Sequence, residues 1–204
     1  MKILVACEFS GVVRREFEWR GHDVWSCDLL PSLDNSPKHI VGDVLDILDQ
    51  NWDMMIAHPP CKFLAVSGIH WNKRRPERAE KTAEGLAFVK RLLGSPIPKK
   101  ALENPVSIIS THIRKPDQII QPYEFGEDAA KRTCLWLENL PKLELGTRFP
   151  GRWVEWPVGS GILKERWDNQ TDSGQNALAP SQDRWKDRSI TYLGIAEAMA
   201  EQCG

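Results

Sequence analysis

Short apolar runs that each end in polar or reactive residues constrain the fold of this chain more than any other feature. Five of them have the length of strands, and they cover residues 2–7, 23–27, 39–41, 52–57 and 100–102. Helical patterns lie between them, the clearest over residues 77–93, which end at Gly94. Strands that alternate with helices predict an α/β fold, in which helices cover both faces of a mostly parallel sheet.

The rest of the chain suggests a division into three parts. Residues 118–121 and 133–137 are expected to be further strands, so a first domain is predicted over 1–145. Residues 146–187 are rich in Gly, Trp, Asn, Asp, Ser and Pro without a clear period, and they predict a long irregular insertion that is either functional or disordered. Residues 188–204 predict an apolar terminal helix that returns to the first domain.

Composition excludes several classes of protein. The 204 residues include 27 Lys and Arg against 28 Asp and Glu, so any attraction to nucleic acid must be local. No apolar run approaches the roughly 20 residues of a membrane span. The N-terminal apolar stretch is too short and too soon acidic for a signal peptide, so a cytoplasmic protein is expected. The 5 cysteines form no CxxC pair, so neither a disulfide framework nor a metal site is predicted.

Polar residues follow each of the predicted strands. They are Glu8-Phe9-Ser10-Gly11, Asp28, Asp43, His58-Pro59-Pro60-Cys61 and Glu103-Asn104-Pro105. Open parallel α/β sheets bind ligands outside the carboxyl ends of their strands. The pattern therefore predicts one functional site at that edge of the sheet.

Cys61 is the candidate nucleophile at this edge. The two prolines before it make a stiff turn, and a thiolate there would be favoured by local positive potential. Glu103 is the candidate acid or hydrogen-bonding partner. A buried structural cysteine is the commoner role for a free thiol, and a cap or salt bridge is the ordinary role for the glutamate.

Taken together, these motifs resemble the DNA cytosine-5 methyltransferase family. Pro60-Cys61 resembles its nucleophile motif, and Glu103-Asn104 resembles its Glu-Asn-Val motif, in the same order. Phe9-Ser10-Gly11 resembles its cofactor loop, Asp28 its ribose-binding acid and Asp43-Val44 its adenine contact. Residues 192–202 resemble its last motif, so the resemblance covers 1–138 and about 188–204.

The resemblance implies a Rossmann-like fold that binds S-adenosylmethionine, with catalysis in the first domain. The residues it assigns to the cofactor are Glu8, Phe9, Ser10, Gly11, Asp28, Asp43, Val44 and Pro59. It implies that Cys61 adds to carbon-6 of cytosine while Glu103 contacts ring nitrogen-3 and the exocyclic amine. Asn104 would brace the loops and Pro60 would shape the pocket. A base in duplex DNA would have to be flipped out.

Two further assignments come from the resemblance. The family's catalytic arginine is assigned to Arg132, which precedes the strand at 133–137, although residues 182–186 fit the family's pattern more closely. Lys73, Arg74 and Arg75 correspond to a mobile loop that closes over DNA, where they would contact phosphates. The alternative for this stretch is a solvated helix start laced with acidic residues.

The motifs leave three functional hypotheses. The first is a compact, phage-like methyltransferase that acts on cytosine in DNA, with the Trp-rich insertion either stacking on bases or packing as a lid. The second keeps the chemistry but uses a free nucleotide or single strand, and the third is an inactive nucleic-acid-binding homologue. The presence of both Cys61 and Glu103 favours an enzyme. His58 is expected to be structural or to line the pocket, and the oligomeric state is left open.

Overall fold

The computed structural model describes residues 1–204 and contains a main sheet of seven strands. They are β1 (Lys2–Ala6), β2 (Asp23–Asp28), β3 (His39–Val41), β4 (Met54–Ala57), β5 (Lys99–Pro105), β6 (Gln118–Ile120) and β7 (Thr133–Glu138). Their order is β3-β2-β1-β4-β5-β7-β6. Strands β1 to β5 pair in parallel, and β7 runs antiparallel between β5 and β6. The predicted mostly parallel sheet is confirmed.

Helices cover both faces of the sheet, as predicted. They are α1 (Val12–Trp19), α2 (Val66–Ile69), α3 (Pro76–Leu93), α4 (Ile109–His112), α5 (Arg184–Ser189) and α6 (Leu193–Cys203). Successive residues of a strand point to opposite faces. Ile3 and Val5 of β1 accordingly pack in the cluster that contains α1 and α6, whereas Leu4 packs in the cluster that contains α3 and α4. None of the helices combines the length and hydropathy of a bilayer-spanning segment.

Segment 146–187 is more regular than the sequence indicated. It contains an antiparallel hairpin of β8 (Arg152–Glu155) and β9 (Leu163–Arg166), and it also contains the start of α5. The Trp167 ring stacks on Tyr123 at a centroid distance of 4.0 Å. Asn169 exchanges two hydrogen bonds with the backbone of Ala130, at 2.9 and 3.0 Å. The hairpin was missed because no residue of its strands is fully buried, so the apolar alternation that reveals a strand is absent.

The packing of α1 gives a test of this fold. Phe17 is fully buried against the sheet, whereas Trp19 of the same helix is 84% exposed. We expect Phe17→Ala to lower the free energy of unfolding by about 3–5 kcal/mol, because it leaves a cavity. Trp19→Ala should change it by less than about 0.5 kcal/mol. Urea denaturation followed by circular dichroism measures both, and equal losses would contradict this orientation of α1.

Candidate active site

The three central strands end side by side. Ala57, the last residue of β4, is in register with Ala6 of β1 and Leu102 of β5. The residues after these positions therefore meet at one level, and they include Glu8, His58 and Glu103. The direction in which the chain adds strands reverses between β1 and β4. Such a switch point opens a crevice at the carboxyl ends of the strands, where doubly wound folds bind ligands.

Glu103 lies at the centre of the site with a mostly buried side chain. Its Oε2 lies 3.2 Å from Nδ1 of His58, which donates a hydrogen bond as an N–H. Lys131 Nζ lies 4.0 Å from Oε1. Burial raises the pKa of Glu103, but Lys131, His58 and Thr133 outweigh that effect and hold the pKa at about 2. The carboxylate is therefore ionised at neutral pH.

Three buried polar atoms of this site have no hydrogen-bond partner. They are Nε2 of His58, Oε1 of Glu103 and Oδ1 of Asn104. The other end of Asn104 is satisfied, because its Nδ2 donates to the carbonyl of Pro59 at 2.8 Å. Buried polar atoms without partners cost free energy, and native proteins contain few of them. Three in one cluster are typical of a site that a ligand completes.

Cys61 is exposed in the turn after the two prolines, and its carbonyl accepts the N–H groups of Leu64 and Ala65 at 3.0 and 2.9 Å. Desolvation and, to a smaller extent, the charge of Glu103 raise the pKa of its thiol. Lys131 and Arg188 lower it, but the net effect is an increase. The two cations favour the thiolate, but desolvation and the charge of Glu103 outweigh them. Lys131 and Glu103 thus both act electrostatically on the thiol, and Cys61 follows β4, the strand that pairs with β5.

Lys131, and not the predicted Arg132, supplies the cation beside Glu103. Arg132 is exposed and makes no ion pair, while the flanking Lys131 and Thr133 both act on the Glu103 carboxylate. The reason is the alternation of side chains as the chain enters β7, which pairs with the end of β5. The sequence prediction selected Arg132, because local sequence does not show which residues of 131–133 turn toward β5.

Residues 8–11 form the turn between β1 and α1. The Glu8 carboxylate accepts the backbone N–H groups of Val13 and Arg14 at 2.7 and 3.3 Å, so it caps the helix instead of pointing outward. Burial raises the pKa of Glu8, and the nearby His58 opposes that effect. Phe9 and Ser10 are buried, and Gly11 has a φ of 71°, in the left-handed region that favours glycine.

Asp28 and Asp43 lie at the ends of the neighbouring strands β2 and β3. Each accepts one backbone N–H at 2.9 Å, from Leu30 and Leu45 respectively. Burial raises the pKa of Cys7, and the charges of Asp28 and Asp43 raise it further. Burial also raises the pKa of Asp28. Val44, predicted as an adenine contact, is buried in the core, and no group of three or more potential ligands could hold a metal ion.

Helix α5 lies over this site, which the sequence did not indicate. The Trp185 ring is 6.4 Å from the ring of Phe9. The Arg188 carbonyl accepts a hydrogen bond from Lys131 Nζ at 3.4 Å. The segment therefore contacts both the turn after β1 and the cation beside Glu103.

A surface rich in cations and aromatic rings extends from Cys61 to the start of α3. Its six cations, none of which pairs with a carboxylate, are Lys62, Lys73, Arg74, Arg75, Arg78 and Lys81. The guanidinium groups of Arg74 and Arg75 lie 5.7 and 5.4 Å from the Trp71 ring centroid. The stretch also leads into the exposed start of α3, so the alternative of a solvated helix start stays open. We call these residues the basic surface.

Comparison with known proteins gives limited information. No protein-family profile matches the chain, and no curated protein matches it. Among solved structures it is similar to an E. coli protein described as a candidate DNA modification methyltransferase encoded within a prophage. The two are 13% identical with a TM-score of 0.41, and the match covers 72% of this chain and 49% of the other. A likeness at this level carries no argument about function.

The charge pairing at Glu103 gives a prediction that needs no assay of activity. We expect Lys131→Met to raise the pKa of Glu103 by about one pH unit or more, because it removes the nearest cation. Arg132→Met removes the same charge from the exposed side of the strand and should leave that pKa unchanged. Carboxyl-carbon NMR titration of Glu103 measures both variants. An equal shift in the two would show that Arg132 also acts on the carboxylate.

Proposed function

We propose that this chain is an S-adenosylmethionine-dependent methyltransferase that acts on carbon-5 of cytosine in DNA through a covalent adduct of Cys61. The observation that carries the proposal is an exposed thiol after β4 that feels the charge of an ionised, mostly buried carboxylate on the paired strand β5. A protein that only binds nucleic acid has no need of this pair. The resemblance of the surrounding motifs supports the same chemistry.

The residues of the site can divide the reaction between them. The Cys61 sulfur forms a bond to carbon-6 of cytosine while the thiol proton passes to water, and this addition makes carbon-5 nucleophilic toward the sulfonium methyl. Lys131 and Arg188, the two cations that act on the thiol, would stabilise the thiolate in this step. Oε1 of Glu103 would accept a hydrogen bond from the exocyclic amine of the base and stabilise the charge that develops on the ring. Once carbon-5 carries the methyl group that the donor would supply, transfer of its proton to water expels the Cys61 thiolate.

The crevice between β1 and β4 suits the proposed cofactor. The carboxylates of Asp28 and Asp43 can accept the hydroxyl and amino groups of a nucleoside, and Phe9, Ser10 and Gly11 form the adjoining turn. Glu8 would contribute indirectly by capping α1. Pro59 is fixed by Asn104 beside the crevice. S-adenosylmethionine, when bound, supplies the electrophilic methyl group.

The basic surface favours a nucleic-acid polymer as the substrate. The net charge is −1, so attraction to phosphates has to come from such a local concentration of cations. Lys73, Arg74 and Arg75 lie there with exposed side chains. A free nucleotide offers too few phosphates to use all of them. We therefore place DNA ahead of a free nucleotide, with Pro60 and Asn104 shaping the base pocket.

The covalent step predicts a requirement for Cys61. We expect Cys61→Ala to abolish transfer of tritiated methyl from S-adenosylmethionine to DNA, whereas Cys203→Ala, far along the terminal helix, should retain it. DNA that contains 5-fluorocytosine should trap the wild-type protein in a complex stable to denaturation, because fluorine cannot leave as the carbon-5 proton does. Methyl incorporation that survives Cys61→Ala would refute the adduct.

The same assay separates the alternative functions. Arms with duplex DNA, single-stranded DNA and dCMP distinguish a polymer from a monomer substrate. Calorimetry with S-adenosylmethionine tests cofactor binding independently of turnover. Binding of DNA without binding of the cofactor would instead indicate a nucleic-acid-binding protein.

The role of the basic surface can be tested by salt dependence. We expect the pair Arg74→Ala and Arg75→Ala to weaken DNA binding and to reduce the slope of log affinity against log salt by about 2. The pair Lys90→Ala and Arg91→Ala removes the same charge at the far end of α3 and serves as the control. Fluorescence anisotropy at several salt concentrations measures both slopes. A slope unchanged by the first pair would exclude phosphate contacts there.

A further inference from the structure

We infer that His58 is a positioning residue that fixes which oxygen of Glu103 faces the substrate, an inference that rests on the proposed function and deepens it. A backbone hydrogen bond fixes the position of His58. It follows β4, the strand between β1 and β5, and its N–H donates to the Ala6 carbonyl at 2.9 Å. From there the imidazole reaches Glu103, with Nδ1 at 3.2 Å from Oε2.

This hydrogen bond makes the two oxygens of Glu103 unequal. Oε2 accepts a hydrogen bond from His58, while Oε1 is buried and accepts none, since the nearby Thr133 hydroxyl donates to the Lys131 carbonyl at 3.0 Å. Lys131 Nζ lies 4.0 Å from Oε1, which is too far for a hydrogen bond, so it contributes charge but little direction. Without the Nδ1 donor the carboxylate could rotate toward Lys131, and Oε1 would leave the position from which it meets the base.

The rest of the imidazole has no competing partner. Nε2 is buried without a hydrogen bond, so the contact with Glu103 is the only side-chain hydrogen bond that His58 makes. The charged groups that act in its surroundings are Glu8 on the β1 side, Glu103 on β5 and Lys131 before β7. An apolar side chain would fill this place without leaving a buried nitrogen unpaired. Within the protein, the hydrogen bond to Glu103 is therefore the one interaction that accounts for a histidine here, and Nε2 is left for a ligand.

Two amide substitutions separate the two nitrogens. His58→Asn places its amide nitrogen near the position of Nδ1 and keeps a donor for Glu103. His58→Gln places its amide near the position of Nε2 and removes the donor to Glu103, while the side chain is similar to asparagine in size and polarity. The two variants therefore both keep a polar side chain, and they differ in whether a hydrogen bond to Glu103 is retained.

We expect His58→Asn to keep the low pKa of Glu103 and a kcat within about threefold of wild type. His58→Gln should raise that pKa by about one pH unit and lower kcat by about tenfold or more, with the KM for S-adenosylmethionine unchanged. Because Glu103 then takes up its proton at a higher pH, the acid limb of the kcat profile should move upward in His58→Gln alone. Carboxyl-carbon NMR titration and steady-state kinetics supply these readouts.

Equal losses in the two variants, or a pKa of Glu103 that does not move in His58→Gln, would overturn the positioning role. Nitrogen-15 NMR of the wild-type His58 ring adds a test that requires no variant, since a proton carried by Nε2 alone would also overturn it. If wild-type protein transfers no methyl group, the proposed function fails. The NMR titrations would then still report on the hydrogen bond itself.

Discussion

The ionised carboxylate of Glu103 is the group on which the rest of the site depends. A charge taken out of water destabilises the fold unless opposite charge and hydrogen bonds compensate it. Here the compensation comes from His58 at the end of β4 and from Lys131 at the entrance to β7. The parallel pairing of β4 with β5 and the antiparallel return of β7 are both required to bring these groups together. The electrostatic compensation of Glu103 therefore depends on the strand order of the sheet.

The two halves of the site lie on either side of β4. In the proposed function, the turn at Glu8 and the carboxylates of Asp28 and Asp43 on the β1 side would receive the nucleoside of the cofactor. Glu103 and the Cys61 turn on the β5 side would receive the base. His58 touches the second half and acts electrostatically on Glu8 in the first. In the proposed function, the residues after this central strand would keep the methyl donor and the base at a fixed separation.

Most of the fold could be predicted from the sequence, because apolar runs and glycine or proline ends are local signals. Strand β3 agrees with its prediction at both ends, and α3 begins one residue earlier than predicted. The hairpin of β8 and β9 was not predicted, since its exposed strands carry no alternation. Helix α5 and its contact with Phe9 were also missed, because they depend on how residues 168–192 return to the domain.

The sequence by itself determined which residues stand at the strand ends, including Cys61 and Glu103, because covalent order fixes the residues that come after each buried strand. The tertiary structure decided how those residues are used. It placed Lys131 instead of Arg132 beside Glu103. It also directed the Glu8 carboxylate toward the N-terminus of α1 and brought His58 within hydrogen-bond distance of Glu103. It also raised the pKa of the Cys61 thiol by desolvation. These outcomes depend on register and burial between segments far apart in the chain, which no local pattern encodes.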